Sequence, residues 1–226
     1  MQPQILFEDN HLLVINKPPG VLAQGDNTKD RSVLDIVKNI IKIRDEKPGK
    51  VYLGLVHRLD RPTSGVMVLA KTSKALSRLN KQFAEKTTSK TYWAIVSGTA
   101  ADTPTRLSHF LIRKQAQNKS YAHRKEVPNS KFSELIYTKK VALDRYTLLE
   151  IELLTGRHHQ IRAQLSAAGL CIKGDLKYGA KRPNKDGSIH LHARELRLTH
   201  PTLKEAIGFI APPPKDPVWD AALKRA

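Results

Sequence analysis

The chain has 226 residues and is short of two things: cysteine, with Cys171 alone, and acid, with 21 Asp and Glu against 39 Lys and Arg. A lone cysteine excludes a disulfide within the chain and a CxxC-type metal site, and it fits a reducing cytoplasm. No apolar run is long enough to cross a bilayer, so no membrane partner is expected. Met1-Gln2-Pro3-Gln4 lacks the basic-then-apolar order of a secretory signal. Internal repeats and low-complexity segments are absent. Neither GxGxxG nor GxxxxGK[ST] occurs, which removes the common phosphate-loop folds and any expectation of a nucleotide cofactor.

What is present begins with charge. The formal net charge is +18, and an excess of that size raises affinity for polyanions by neutralising phosphates and releasing counterions. The charge is spread along the chain rather than held in a tail. One stretch carries Lys71, Lys74, Arg78, Lys81, Lys86 and Lys90; another carries Arg113, Lys114, Lys119, Arg124, Lys125 and Lys131. A solvated lysine surface that only confers solubility would have the same composition. An excess this large points to nucleic-acid binding, and charge alone does not say which nucleic acid.

Hydrophobic content of 40% suits a globular core, and the periodicities predict more strands than helices. Ile5–Glu8 and Leu12–Asn16 read as a hairpin turned at Asp9-Asn10. Ser32 to Asp35 resembles a capping box, with Val33, Leu34, Val37, Ile40 and Ile41 on one helical face and an end near Lys47-Pro48-Gly49. Val66–Ala70 is short and almost wholly apolar, as a buried strand would be. Ser73 can cap a helix that turns Leu76, Leu79 and Phe83 inward. Strands are predicted at Thr91–Val96, Leu107–Ile112, Lys131–Thr138, Tyr146–Leu153, Leu191–Leu198 and Ala206–Ile210. A helix at His158–Ala168 stops at Gly169, and a short one follows the Pro-rich segment 211–217. This pattern predicts an α+β fold: a mixed, mostly antiparallel central sheet flanked by helices and loops. No clear linker divides the chain, and one catalytic domain over residues 1–226 is expected.

Two segments could carry chemistry. His57-Arg58-Leu59-Asp60-Arg61-Pro62-Thr63-Ser64-Gly65 precedes the Val66–Ala70 strand, on a loop from which a side chain can face a cleft. Local composition alone favours a plain turn, with Asp60 bonded to its own backbone and Thr63 and Ser64 satisfying loop amides. Thr155-Gly156-Arg157-His158-His159-Gln160-Ile161-Arg162 opens a helix, where basic side chains and free amides suit an anion. Arg157 and Arg162 could hold phosphates there, or one of them could pair with a carboxylate in the core.

The HRLD-x-x-TSG segment resembles the catalytic motif of RluA-type pseudouridine synthases. Other blocks follow in that family's order: Lys17-Pro-Pro-Gly20, Ala70-Lys71, Lys90-Thr-Tyr-Trp-Ala94, Thr155 to Arg162, Gly174-Asp175 with Tyr178-Gly179, and Leu191-His192-Ala193. The resemblance runs from the first hairpin to the last strand. It implies that Asp60 is the catalytic aspartate, Tyr92 the tyrosine that stacks on the target base, and Arg162 the arginine paired with the aspartate. It further implies that Leu191 lines the base pocket and that Arg58 wedges into the stack left by the extruded base. Arg157 and His159 fall at positions of active-site support or phosphate contact. Cys171 stands where many relatives have proline, and His158 falls at a variable position. The family's optional N-terminal RNA-binding module is expected to be missing.

The implied chemistry is isomerisation of uridine in ribosomal or transfer RNA by a monomer, without cofactor or metal. The glycosidic C–N bond breaks, the base turns, and a C–C bond forms through a ring carbon. A carboxylate can act as nucleophile on the sugar or as base on a route through a glycal. Burial would raise the aspartate's pKa, and a neighbouring arginine would oppose that, which is why one buried Asp60–Arg162 pair is expected. Two rival classes remain. A non-catalytic RNA-binding or ribosome-assembly protein would keep the basic surface without needing Asp60, Tyr92 and Arg162 together. A metal hydrolase would draw on His190, His192, His158 and His159, but these have no accompanying carboxylate or cysteine ligand set.

Overall fold

The computed structural model describes residues 2–25 and 30–225. The chain forms two compact units, Met1–Ser89 with Ala193–Pro213, and Lys90–His192 with Pro214–Ala226. The first unit takes a late segment back from beyond the second. A divider of that kind leaves no linker composition in the sequence.

In the first unit β1 (Gln4–Glu8) and β2 (Leu12–Lys17) form the antiparallel hairpin. Its turn is closed by Asp9, whose Oδ1 accepts from the amides of His11 at 2.7 Å and Leu12 at 2.6 Å. Strand β4 (Ser64–Ala70) pairs antiparallel with β2 and is buried on both faces, which explains its unbroken apolar run. The short β3 (Gly54–Leu55) also pairs with β4. β11 (Leu191–Thr199) lies beside β4 and carries β12 (Ala206–Ile210).

The period-two alternation of β2 and β4 sends side chains to two cores. Leu12, Val14, Val66 and Val68 meet Leu79 of α2 (Ser73–Glu85) on one side. Leu13, Ile15, Met67 and Leu69 meet Val37 and Ile41 of α1 (Val33–Arg44) on the other. Helix α1 begins with the expected capping box: Ser32 accepts from the Asp35 amide at 3.2 Å and Asp35 accepts from the Ser32 amide at 3.2 Å. It ends at Arg44, earlier than the Pro48-Gly49 signal suggested. The cap of α2 is Thr72, not Ser73, with Thr72 Oγ1 accepting from the Ala75 amide at 3.1 Å. Either hydroxyl satisfies the local signal.

In the second unit the strand order is β5 (Ser89–Ser97), β9 (Thr147–Leu153), β8 (Lys131–Ala142), β6 (Thr105–Lys114), β7 (Lys119–His123), and these neighbours pair antiparallel. A short β10 (Cys171–Ile172) pairs with β5. One face of the sheet packs on α3 (Gln160–Ala167), where Ile161 and Leu165 join Val96, Leu149 and Ile151. The other face is covered in part by α4 (Pro217–Leu223), whose Trp219 meets Ile95 and Leu148. The architecture is α+β, as the periodicities predicted. Among the described residues, no helix is long and apolar enough to cross a membrane.

Candidate active site

The sequence-predicted site residues divide between the units. Arg58 and Asp60 belong to the first; Tyr92, Arg157, His159, Arg162 and Leu191 belong to the second.

Asp60 sits on the turn that feeds β4, partly buried, between exposed Arg58 and Arg61 and next to buried Leu59. The Thr63 amide donates to the Asp60 carbonyl at 3.0 Å, so the segment is a main-chain turn. The turn is held from several sides. The Gly20 amide donates to the Arg61 carbonyl at 2.8 Å, and Arg61 Nε donates back to the Gly20 carbonyl at 3.0 Å. Arg61 also pairs with Asp30 at 2.9 Å. Upstream, His57 Nε2 accepts from the Val68 amide at 3.1 Å while its ring stacks on Phe83 at 4.9 Å. The Thr63 hydroxyl is buried without a hydrogen-bond partner among the described residues. Gly65 follows at φ +120°, and a Cβ there would lie 2.5 Å from the Ala193 nitrogen, so only glycine allows β11 to approach this close.

Beneath the turn lies a residue that sequence reasoning quoted in a motif but gave no role. Lys17 is fully buried at the end of β2, and its Nζ donates to the carbonyls of Val21 at 2.7 Å, Pro18 at 2.9 Å and Arg61 at 3.3 Å. Three donors meet three acceptors, so the ammonium ties the Lys17-Pro18-Pro19-Gly20 segment to the Asp60 turn. Burial pushes its pKa down to about 7, against the opposing pull of the Asp60 carboxylate. The one local signal is a lysine closing an apolar strand before Pro-Pro-Gly; two of the carbonyls that bind it, those of Val21 and Arg61, lie elsewhere in the chain.

In the second unit Arg162 is 5% exposed on α3 and is gripped by Asp175. Nε meets Oδ2 at 2.6 Å and Nη2 meets Oδ1 at 2.8 Å, a two-point clamp on one edge of the guanidinium. The guanidinium also lies 4.9 Å from the ring centroid of Tyr178. Removing one member of such a buried pair costs about 3–5 kcal/mol, because the other charge is stranded. The alternative that one arginine pairs with a core carboxylate therefore holds for Arg162, and the carboxylate comes from the Gly174-Asp175 block.

His159 begins α3 in the left-handed region, φ +53°, and its Nδ1 lies 3.0 Å from the Tyr178 hydroxyl. Burial, reinforced by Arg162 and its other cationic neighbours, pushes its pKa to about 2, so the ring is neutral at working pH. Its neighbour His158 stacks on it at 3.8 Å and bonds the Ser120 hydroxyl at 2.9 Å. Arg157 is exposed, and its amide donates to Gln160 Oε1 at 3.0 Å. Tyr92 on β5 is partly buried against the same hydrophobic cluster that contains Leu191 and Ile161. The histidines of the metal-hydrolase reading have other occupations. His190 Nε2 bonds Asp216 at 2.9 Å and its ring stacks on Trp219, while His192 packs edge-on to that indole.

Fold and site together define a basic α+β protein that braces one aspartate on a rigid turn and locks one arginine by a carboxylate clamp. The chain belongs to the RNA pseudouridylate synthase family, whose model matches residues 11–167. It is 32% identical over 218 residues to a ribosomal large subunit pseudouridine synthase C of Vibrio vulnificus, covering 94% of this chain and 66% of that protein. An uncharacterised RNA pseudouridine synthase of Bacillus subtilis is 34% identical, covering 94% of this chain and 69% of its own length. The chain thus spans about two-thirds of these curated relatives (66% and 69%). Among solved structures, human RNA pseudouridylate synthase domain containing 4 superposes with a TM-score of 0.79 at 26% identity, covering 98% of this chain and 92% of that one.

Proposed function

We propose that the chain isomerises specific uridines to pseudouridine in structured RNA, with Asp60 as the reacting carboxylate. The braced Asp60 turn within the family's motif carries the reading. Asp60 bonds to C1′ as N1 leaves and is released when C5 bonds there, or, on the glycal route, it takes the C2′ proton as N1 leaves and returns it when C5 adds. The bond from C1′ to N1 breaks, uracil turns, and C1′ bonds to C5; the proton leaves C5 and N1 gains one. Nothing is added or removed overall, and no cofactor takes part. Arg162, held by Asp175, is the cation assigned to keep that carboxylate ionised. Tyr92 stacks on the freed uracil while it turns, a contact worth about 1–3 kcal/mol, and Leu191 lines the base site. Arg58 fills the gap left in the stack, and Arg157 and His159 support the site or meet phosphate.

Extruding a uridine costs a few kcal/mol and is cheapest in loops and bulges, so unpaired or weakly paired uridines are the targets. The names of the curated relatives favour ribosomal RNA of the large subunit over transfer RNA. The protein acts in the cytoplasm as a monomer.

The test maps pseudouridine in cellular RNA from strains with the intact chain, without it, and with Asp60→Asn. One or more sites should vanish in both altered strains, with the variant accumulating to normal levels. Sites retained in full by the Asp60→Asn strain would overturn the assignment.

A further inference from the structure

The β6–β7 hairpin has features that the isomerase reading does not use. Its register pairs Phe110 with His123, Ile112 with Tyr121 and Lys114 with Lys119, while Phe110 also pairs with Phe132 of β8. By strand alternation these side chains share one face. The opposite face is core, where Leu111 and Ala122 pack with Ala163 and Tyr178. An outward face on a sheet margin is ordinarily polar, yet here Phe132 is 48% exposed and meets Phe110 edge-on at 5.7 Å.

Charge surrounds the aromatics. Lys114 and Lys119 are directly opposite each other across the ladder, a like-charge pair that weakens the hairpin; each Nζ lies 5.3 Å from the Tyr121 ring centroid, and that of Lys119, at the strand end, also lies 5.1 Å from the Tyr178 ring. Arg113 donates to Asn118 Oδ1 at 3.3 Å and Lys177 to the Asn118 carbonyl at 3.0 Å, so two more cations gather at the turn. Among the described residues, none of these four has a carboxylate partner. Glu134, which shares that face by register, is already bound by Arg106 at 2.7 Å.

We infer that this hairpin face is a docking platform for a single-stranded RNA segment. Tyr121 and Phe132 offer rings to unstacked bases, and the lysine pair, next along the ladder on the turn side of Tyr121, meets the phosphates that follow. Like charges facing each other across a ladder are relieved by a polyanion, and aromatic rings accept bases without regard to sequence. The platform would hold nucleotides flanking the modified uridine, so this part of the inference rests on the isomerase reading.

The test follows fluorescence anisotropy of a labelled oligouridylate of about twelve nucleotides across a potassium chloride series. Lys114→Ala with Lys119→Ala should reduce the slope of log affinity against log salt by about 1.4, at roughly 0.7 per phosphate contact on a single strand. The charge-matched pair Lys42→Ala with Lys47→Ala, on the exposed end of α1 and beyond it, should change the slope much less. Tyr121→Ala should weaken binding about five- to a hundredfold, and Tyr121→Phe should retain it. Equal slopes for the two lysine pairs, or equal affinity for the two Tyr121 variants, would overturn the platform. A protein that binds through the hairpin but forms no pseudouridine would overturn the isomerase reading and leave the platform standing.

Discussion

Lys17 is the side chain whose protonation the fold changes most legibly. An ordinary lysine titrates near 10.5, and here burial brings the value to about 7. Between those values the unfolded chain keeps a proton that the folded chain has released, so stability rises with pH across that window and is flat below it. Urea unfolding of the intact chain and of Lys17→Met should diverge as pH rises from about 7 to 10. The intact protein should gain up to about 1.4 kcal/mol per pH unit relative to the variant. A difference constant with pH would return Lys17 to an ordinary lysine. The same residue shows how the sequence is read at this scale. Asp60 stood out through its loop context and the family motif, whereas Lys17 lay in a motif with no role attached. Its role depends on the carbonyls of Val21 and Arg61, and pairings of that kind are not written in local spacing. The Arg162 clamp was half visible: a core carboxylate was an open alternative, but Asp175 could be named as that partner only from coordinates.

At the scale of elements, the close passage of β4 and β11 depends on one missing side chain. Gly65→Ala would put a methyl 2.5 Å from the Ala193 nitrogen at φ +120°, where L side chains are strained. Overpacking and backbone strain together should lower stability by about 3–5 kcal/mol in urea unfolding. A loss under about 1 kcal/mol would mean that the strands can part without cost. Long elements with clean periodicity, such as α1, β2 and β4, were legible because burial imposes the pattern. β7 was not, since Lys-Ser-Tyr-Ala-His has no apolar alternation; its one buried side chain is Ser120, and pairing with β6 makes it a strand. The two-residue strands β3 and β10 were too short to leave any period.

For the molecule as a whole, the net charge of +18 should make RNA affinity fall at least tenfold between about 50 and 200 mM salt. A flat response in filter binding of a structured RNA would mean that the lysines serve only solubility. Composition carries the charge behind this expectation, and periodicity revealed the α+β class. The division into two units could not be read, because residues 193–213 rejoin a body begun by the first 89. Chain order and spatial order differ there, and no local composition marks the return.

That return fixes the order in which a ribosome can finish the protein. While residues 90–192 are being made, β4 has β2 on one side but lacks β11 on the other, and an apolar strand with an open edge invites the wrong partner. A chain stalled before Ala193 would therefore leave the exit tunnel with a sticky seam, fit for a chaperone or a protease rather than for service.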